Sequence, residues 1–236
     1  TMTAMLGVLK PGQALSGYAS GTVWLIVSAF LFSRSFIKTG LGQRIAYTMM
    51  GRFGSSSLKL AYALVFSNFI ISPAIPSNTA RGGGIMFPIV KSLAEAMDSR
   101  PGKTARKIGA FLIQCVCQSD NIACCVMMTA VSSNFLIVTL AYNVAGVEFT
   151  WGSWFVAAIV PGFVALLLIP LVLYKIYPPE MKDTRHAQAL ARESLKEMGA
   201  MRADEKLLLT IFFIAVLGWA TASITKLNAT IVAMAS

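Results

Sequence analysis

Ser72-Pro-Ala-Ile-Pro-Ser-Asn-Thr-Ala-Arg-Gly-Gly-Gly84 divides a mostly apolar stretch of chain, and its reading decides the fold. With two prolines, three glycines and an arginine it cannot form a helix that faces lipid. Non-helical backbone at membrane depth persists only where protein or a water-filled cavity surrounds it. Basic residues stand on either side, Lys59 before it and Arg100 after it. Because basic residues collect on the cytoplasmic side, the chain enters and leaves on that same side. The expected form is a re-entrant hairpin with this sequence at its tip.

The rest of the chain supports a bilayer setting. Of 236 residues, 56% are hydrophobic and 13% charged, with mean hydropathy +0.68. Soluble domains carry about 25% charged residues. Trp151 to Tyr174 runs 24 residues without a charge, and Leu207 to Ser223 runs 17; about 20 mainly apolar residues cross a bilayer as a helix. The first apolar run has no small-residue cleavage site of the secretory kind. The chain begins Thr-Met-Thr and stops at Ser236 inside a fresh apolar run, so a fragment of a longer protein is expected. The net charge of +10 is read as loop charge of a membrane protein, not as a nucleic-acid surface. Cys115, Cys117, Cys124 and Cys125 fall within eleven residues of one apolar segment, far from the only histidine, His186, and are read as small packing residues. No metal or cofactor is expected.

Three basic clusters fix the orientation: Lys38 to Lys59, Arg100 to Lys107, and Lys175 to Lys206. The connection from Ala141 to Trp154 has no basic residue and belongs outside. Ile108 to Val147 is 40 residues, too long for one straight span. Its polar centre, Thr129-Ala-Val-Ser-Ser-Asn134, predicts a helix broken in mid-membrane. Pro161 and Pro170 are candidates to kink the next span, which Tyr177-Pro-Pro179 ends. Asp183 to Arg202 mixes both charges, with Ala187, Leu190, Ala191, Leu195 and Met198 near helical spacing, as in an amphipathic surface helix.

Ser77, Asn78 and Thr79 fall where the second hairpin arm begins. Helix starts carry partial positive charge and free N–H groups, which attract carboxylates. The three side chains are therefore candidate substrate donors, the bland alternative being helix capping. Gly82, Gly83 and Gly84 permit close approach of backbone and ligand. Arg81 is a costly charge at membrane depth. It could pair with an anionic substrate; the alternatives are a structural salt bridge to Asp120, or snorkelling to the surface. Asp120, near Gln114, Gln118 and Asn121, could also serve proton coupling.

Pro76-Ser-Asn-Thr-Ala-Arg-Gly-Gly-Gly-Ile-Met-Phe-Pro-Ile89, with Lys91-Ser-Leu93, resembles the signature of the divalent anion:sodium symporter (DASS) family. Within it, the likeness is closest to bacterial citrate/succinate antiporters and plastid 2-oxoglutarate/malate translocators. Ser20 to Ile26, Gly40 to Ala46 and Glu197 to Ala200 extend the likeness over nearly the whole chain. The resemblance implies an all-α integral membrane protein of the inner (cytoplasmic) membrane, built as an inverted repeat with a Ser-Asn-Thr hairpin in each half, and a homodimer. This chain would be a loop over 1–17, a first repeat over 18–204 and the start of the second over 205–236. Inside the first repeat the expected parts are a span at 18–37, an interfacial helix at 40–54, the hairpin at 56–98, the broken span at 106–149, a span at 151–176 and the surface helix at 183–200.

The resemblance also assigns Ser77, Asn78 and Thr79 to substrate contact and places Ser133 and Asn134 in the matching loop of the broken helix. Glycine-rich sequence found there in sodium-dependent relatives is missing. Pro73 stands where those relatives can place a sodium-ligating serine. With Arg81 as a fixed cation, these departures lead to an expectation of sodium-independent exchange of small di- or tricarboxylates (succinate, malate, 2-oxoglutarate, citrate), with sodium symport or an inactive fragment as the alternatives. A membrane enzyme would need converging catalytic groups that the sequence does not offer.

Overall fold

The structure is a computed structural model, and it describes residues 6–8, 10, 12, 15–19, 21–221, 225 and 232. The 1–17 loop and the far end of the 205–236 segment thus fall largely outside the described residues. The described residues are helical, with one isolated β-bridge between Ser56 and Asp183. After a 3-10 turn at Ser16–Ala19 come α1 (Gly21–Thr39), α2 (Leu41–Phe53) and α3 (Ser57–Ile71). A 3-10 turn at Ser72–Ala74 and a π-helical segment at Thr79–Met86 then lead into α4 (Phe87–Ala96). They are followed by α5 (Gly109–Val126), a 3-10 turn at Met128–Ala130, α6 (Ser132–Ala145), α7 (Trp151–Ile176), α8 (Arg185–Glu197) and α9 (Ala203–Ala220). Among the described residues, Ser57–Ala74, Gly109–Val126 and Trp151–Ile176 are long and apolar enough to cross a membrane. The chain is a multi-span membrane protein. The predicted helix break is present, between α5 and α6.

The polar ends of these helices gather in one layer. Gly40, at φ 77°, lies in the left-handed region that glycine tolerates and turns α1 into α2. Residues Leu41, Ala46 and Met50 bury one face of α2. The backbone N–H of Ser57 donates to the Lys182 carbonyl at 3.0 Å, and the buried Thr184 hydroxyl donates to the Gly54 carbonyl at 2.8 Å. Glu180 and Met181 donate backbone N–H groups to the carbonyls of Arg106 and Lys107 at 3.1 and 2.9 Å. Helix α8 turns Ala187 and Ala191 toward α2, and its Arg192 Nε and Gln188 Nε2 donate to the Gly51 carbonyl at 2.8 and 3.1 Å. Those side chains satisfy a carbonyl that the end of α2 leaves open. Helix α8 also touches α4, and the start of α3 meets this layer through Ser57.

Beneath it lies the core. Phe111, Leu112, Cys115 and Val116 of α5 are buried in one cluster with Leu60, Leu64 and Ile71 of α3. Helix α7 packs along α5, where Gly162 leaves room for Val126. The opposite face of α7 exposes Val156, Val160, Val164 and Leu168, as expected of a helix that meets lipid. Pro161 and Pro170 lie inside an α7 that stays helical from Trp151 to Ile176. Helix α9 joins through Phe212, whose ring stacks edge-on to Phe36 at 5.5 Å, and through buried Glu205, paired with Arg44 of α2 at 2.9 Å.

A Cβ at Gly162 would overlap the Val126 side chain. Replacing it with Val is expected to cost about 1–3 kcal/mol by overpacking. Thermal unfolding of the detergent-solubilised full-length protein reads this as a lower midpoint; an unchanged midpoint would mean that α5 and α7 do not meet this closely.

Candidate functional site

Two interruptions of helical backbone meet at one place, and each leaves carbonyls that water or lipid must not be left to satisfy. At the end of α5, Asn134 Nδ2 donates to the carbonyls of Cys124 and Met127 at 2.8 and 3.3 Å. Trp154 Nε1 takes the Cys125 carbonyl at 2.9 Å. On the other interruption, Pro73 and Pro76 have no N–H to give. The Pro76 carbonyl accepts from the Ser132 backbone N–H at 3.1 Å, which joins the two breaks directly.

Arg81 completes the junction. It is fully buried, on the π-helical segment that follows the tip. Nη1 donates to the Ile75 carbonyl at 2.9 Å and the Ala130 carbonyl at 3.2 Å, one from each break. Nε donates to Asp120 Oδ1 at 2.8 Å and to Asn68 Oδ1 at 3.1 Å. Nη2 reaches the Cys124 sulfur at 3.1 Å and the Asp120 carbonyl at 3.5 Å. A guanidinium offers five N–H donors in a fixed fork, and here all of them are used. Asp120 Oδ1 also accepts from Asn68 Nδ2 at 3.1 Å. The charge is paired and hydrogen-bonded, which is what burial of an ion demands.

Beside this junction is a cleft of about 310 Å³, lined by Asn78, Thr79, Gly82, Gly83, Phe87, Val90, Ile113, Val116, Cys117, Asp120 and Asn121. Small-molecule sites span roughly 300–1,000 Å³. Gly82 is what admits Asp120: a Cβ there would stand 3.2 Å from Asp120 Oδ2. The cleft thus offers the Thr79 hydroxyl, the amides of Asn78 and Asn121, and backbone at two glycines. Its one lining charge is Asp120, offset by Arg81 behind it.

The sequence-predicted residues divide accordingly. Asn78 and Thr79 line the cleft together. Ser77 lies just before it, its hydroxyl accepting from the Ala80 backbone N–H at 3.2 Å in a capping role. The structure gives Arg81 the Asp120 salt bridge that the sequence held open beside substrate pairing. Ser133 is exposed and Asn134 is spent on the α5 carbonyls; neither lines the cleft. Sequence reasoning passed over Asn68. Its signal was an amide in the apolar run Ser57 to Ile71, one turn before Ser72, but its partners lie on α5 and after the tip. Of the cysteines, Cys115 and Cys124 are buried, while Cys117 faces the cleft.

Polar groups gather in a cleft where two interruptions of membrane-helix backbone meet, an arrangement of the kind found at the substrate sites of secondary transporters. The chain belongs to the family described as sodium:sulfate symporter transmembrane region, whose model matches residues 1–236. YflS of Bacillus subtilis (strain 168), provisionally described as a malate transporter, is 49% identical over 234 residues, covering 99% of this chain and 49% of the relative. Inner membrane protein YbhI of Escherichia coli (strain K12) is 42% identical over 213 residues, 90% of this chain and 44% of the relative. Dicarboxylate transporter 1, chloroplastic, of Spinacia oleracea is 46% identical over 207 residues, 87% of this chain and 36% of that protein. The chain spans at most about half the length of these relatives.

Replacing Asp120 with Asn leaves Arg81 as a buried charge without its counter-charge, at an expected cost of about 3–5 kcal/mol. Arg81→Met strands the carboxylate and two carbonyls and is expected to cost as much. In the double variant the losses should fall well short of the sum, because the two residues act as one unit. Unfolding of the three variants in detergent measures this; additive losses would show the pair is not coupled.

Proposed function

We propose that the protein of which this chain forms about half carries small dicarboxylate anions across the inner membrane by secondary transport. The observation that carries the reading is the cleft at the helix break, with Asn78 and Thr79 presenting donors and no competing catalytic constellation beside them. The printed functions of the relatives, malate for one and dicarboxylates for another, support the same substrate class. In this reading residues 18–204 are the first of two inverted repeats, and 205–236 open the second. Residues 56–98 form the re-entrant hairpin, a reading supported by three contacts: the start of α3 bonds to Lys182, α4 touches α8, and Pro76 at the tip bonds to Ser132 at the α5–α6 break. The second repeat supplies a matching Ser-Asn-Thr tip, and two copies form the homodimer.

Sodium-coupled symport fits the charges better than the sodium-independent exchange suggested by sequence. Exchange leaned on Arg81 as a free cation beside the substrate, but Asp120 neutralises it. The half-site then has no net side-chain charge, and a dianion entering a low-dielectric cleft needs a cation to travel with it. The matched family's description as a sodium symporter region points the same way. Exchange keeps one specific observation in its favour: Pro73, buried at the tip, has no side-chain oxygen to give a sodium ion.

Labelled succinate uptake by the full-length protein in proteoliposomes tests the proposal. An inward sodium gradient is expected to drive uptake into empty vesicles, and Thr79→Ala to weaken it by roughly 10–100-fold, the effect of one hydrogen bond to a charged group. Uptake that ignores sodium and requires preloaded dicarboxylate would establish exchange instead. No dicarboxylate uptake under either condition would remove the substrate assignment.

A further inference from the structure

A second groove, of about 450 Å³, opens at the basic layer and is lined by Met49, Arg52, Phe53, Ser55, Lys59, Tyr62, Ala63 and Phe66. The functional reading above leaves it unused. Two cations stand at its mouth, and no acidic residue lines it. Several other cations of this layer are matched: Arg44 to Glu205, Arg185 to Asp183 and Arg202 to Asp204, while Arg106 and Lys182 lie over the Tyr177 and Tyr174 rings. Arg52 leans on the Phe53 ring at 5.8 Å and, like Lys59, has no ion-pair partner among the described residues.

The groove changes character with depth. Lys59, Tyr62, Ala63 and Phe66 fall at helical spacing on one face of α3. Seven residues of helix rise roughly 10 Å, so Phe66 lies at acyl-chain depth when Lys59 lies at the headgroup level. From there the apolar surface continues onto α7: the Phe66 ring lies tilted against Phe163, centroids 6.0 Å apart, and the Tyr62 hydroxyl donates to the Leu167 carbonyl at 2.6 Å. Phe163 and Leu167 are themselves partly exposed. A soluble anion would match the mouth and leave the apolar floor uncovered. An uncharged partner helix would cover the floor and strand two cations.

We propose that this groove binds an anionic phospholipid, its phosphate between Arg52 and Lys59 and one acyl chain running past Tyr62 and Phe66 onto α7. Basic pockets at the cytoplasmic ends of membrane helices are suited to such headgroups, and each lysine or arginine near an anionic membrane surface favours binding severalfold.

The test is native mass spectrometry of the full-length protein titrated with phosphatidylglycerol or phosphatidylcholine of identical chains. The protein is expected to prefer phosphatidylglycerol by on the order of tenfold, the work of two cations. R52Q/K59Q should abolish the preference, while R100Q/K103Q, which removes the same charge from an exposed loop, should keep it. Glycerol phosphate should fail to displace the bound lipid. A preference that survives R52Q/K59Q, or that R100Q/K103Q abolishes equally, would overturn the proposal; so would displacement by glycerol phosphate, which would make this a soluble-phosphate site. If the other half of the protein fills the groove, lipid preference will be independent of Arg52 and Lys59, and the proposal fails in that case too.

Discussion

The guanidinium of Arg81 is buried where two broken membrane helices meet, and it holds a carbonyl from each while pairing with Asp120. A helix that ends inside a bilayer leaves carbonyls and N–H groups that lipid cannot satisfy. Here they are met by named donors: Arg81 for Ile75 and Ala130, Asn134 for Cys124 and Met127, Trp154 for Cys125, Ser132 for Pro76. Removing the central donor would reopen both breaks at once. The arrangement has an energetic logic. A lone charge at that depth is prohibitive, but a charge with all donors matched turns its own desolvation requirement into a constraint on three helices.

That constraint also shapes the electrostatics of the cleft. Since Asp120 offsets Arg81, the proposed binding of an anion there would draw on dipoles: hydroxyl, amide and backbone N–H groups at the starts of helical segments. In the proposed role, dipoles would hold a carboxylate without binding it irreversibly, as release of a transported substrate requires. They also leave room for a coupling cation to contribute to the charge balance.

Much of this was legible in the sequence, because membrane physics is strict. The apolar runs, the basic clusters and the polar tip at Ser72 to Gly84 identify a multi-span helical protein, and Thr129 to Asn134 marks the break in a segment too long for one span. Less legible was the division of labour among the polar residues. Arg81 could pair with substrate or with Asp120, and both choices obey the same rule about buried charge. Deciding needed the distance from Asp120 on α5 to the π-helical segment that carries Arg81, which no local pattern encodes. Asn134 was expected at the site from its place in the broken-helix loop of the family it resembles; its use as a cap for the preceding helix depends on how the chain turns at Met128–Ala130. Asn68 was hidden for a related reason, since all its partners are distant in the chain.

The most direct measurement is an experimental structure of the full-length protein with succinate bound. The account predicts a carboxylate held beside Asn78 and Thr79, with the Arg81 to Asp120 contact retained near 2.8 Å. An Arg81 side chain turned away from Asp120 and onto the substrate carboxylate would contradict it.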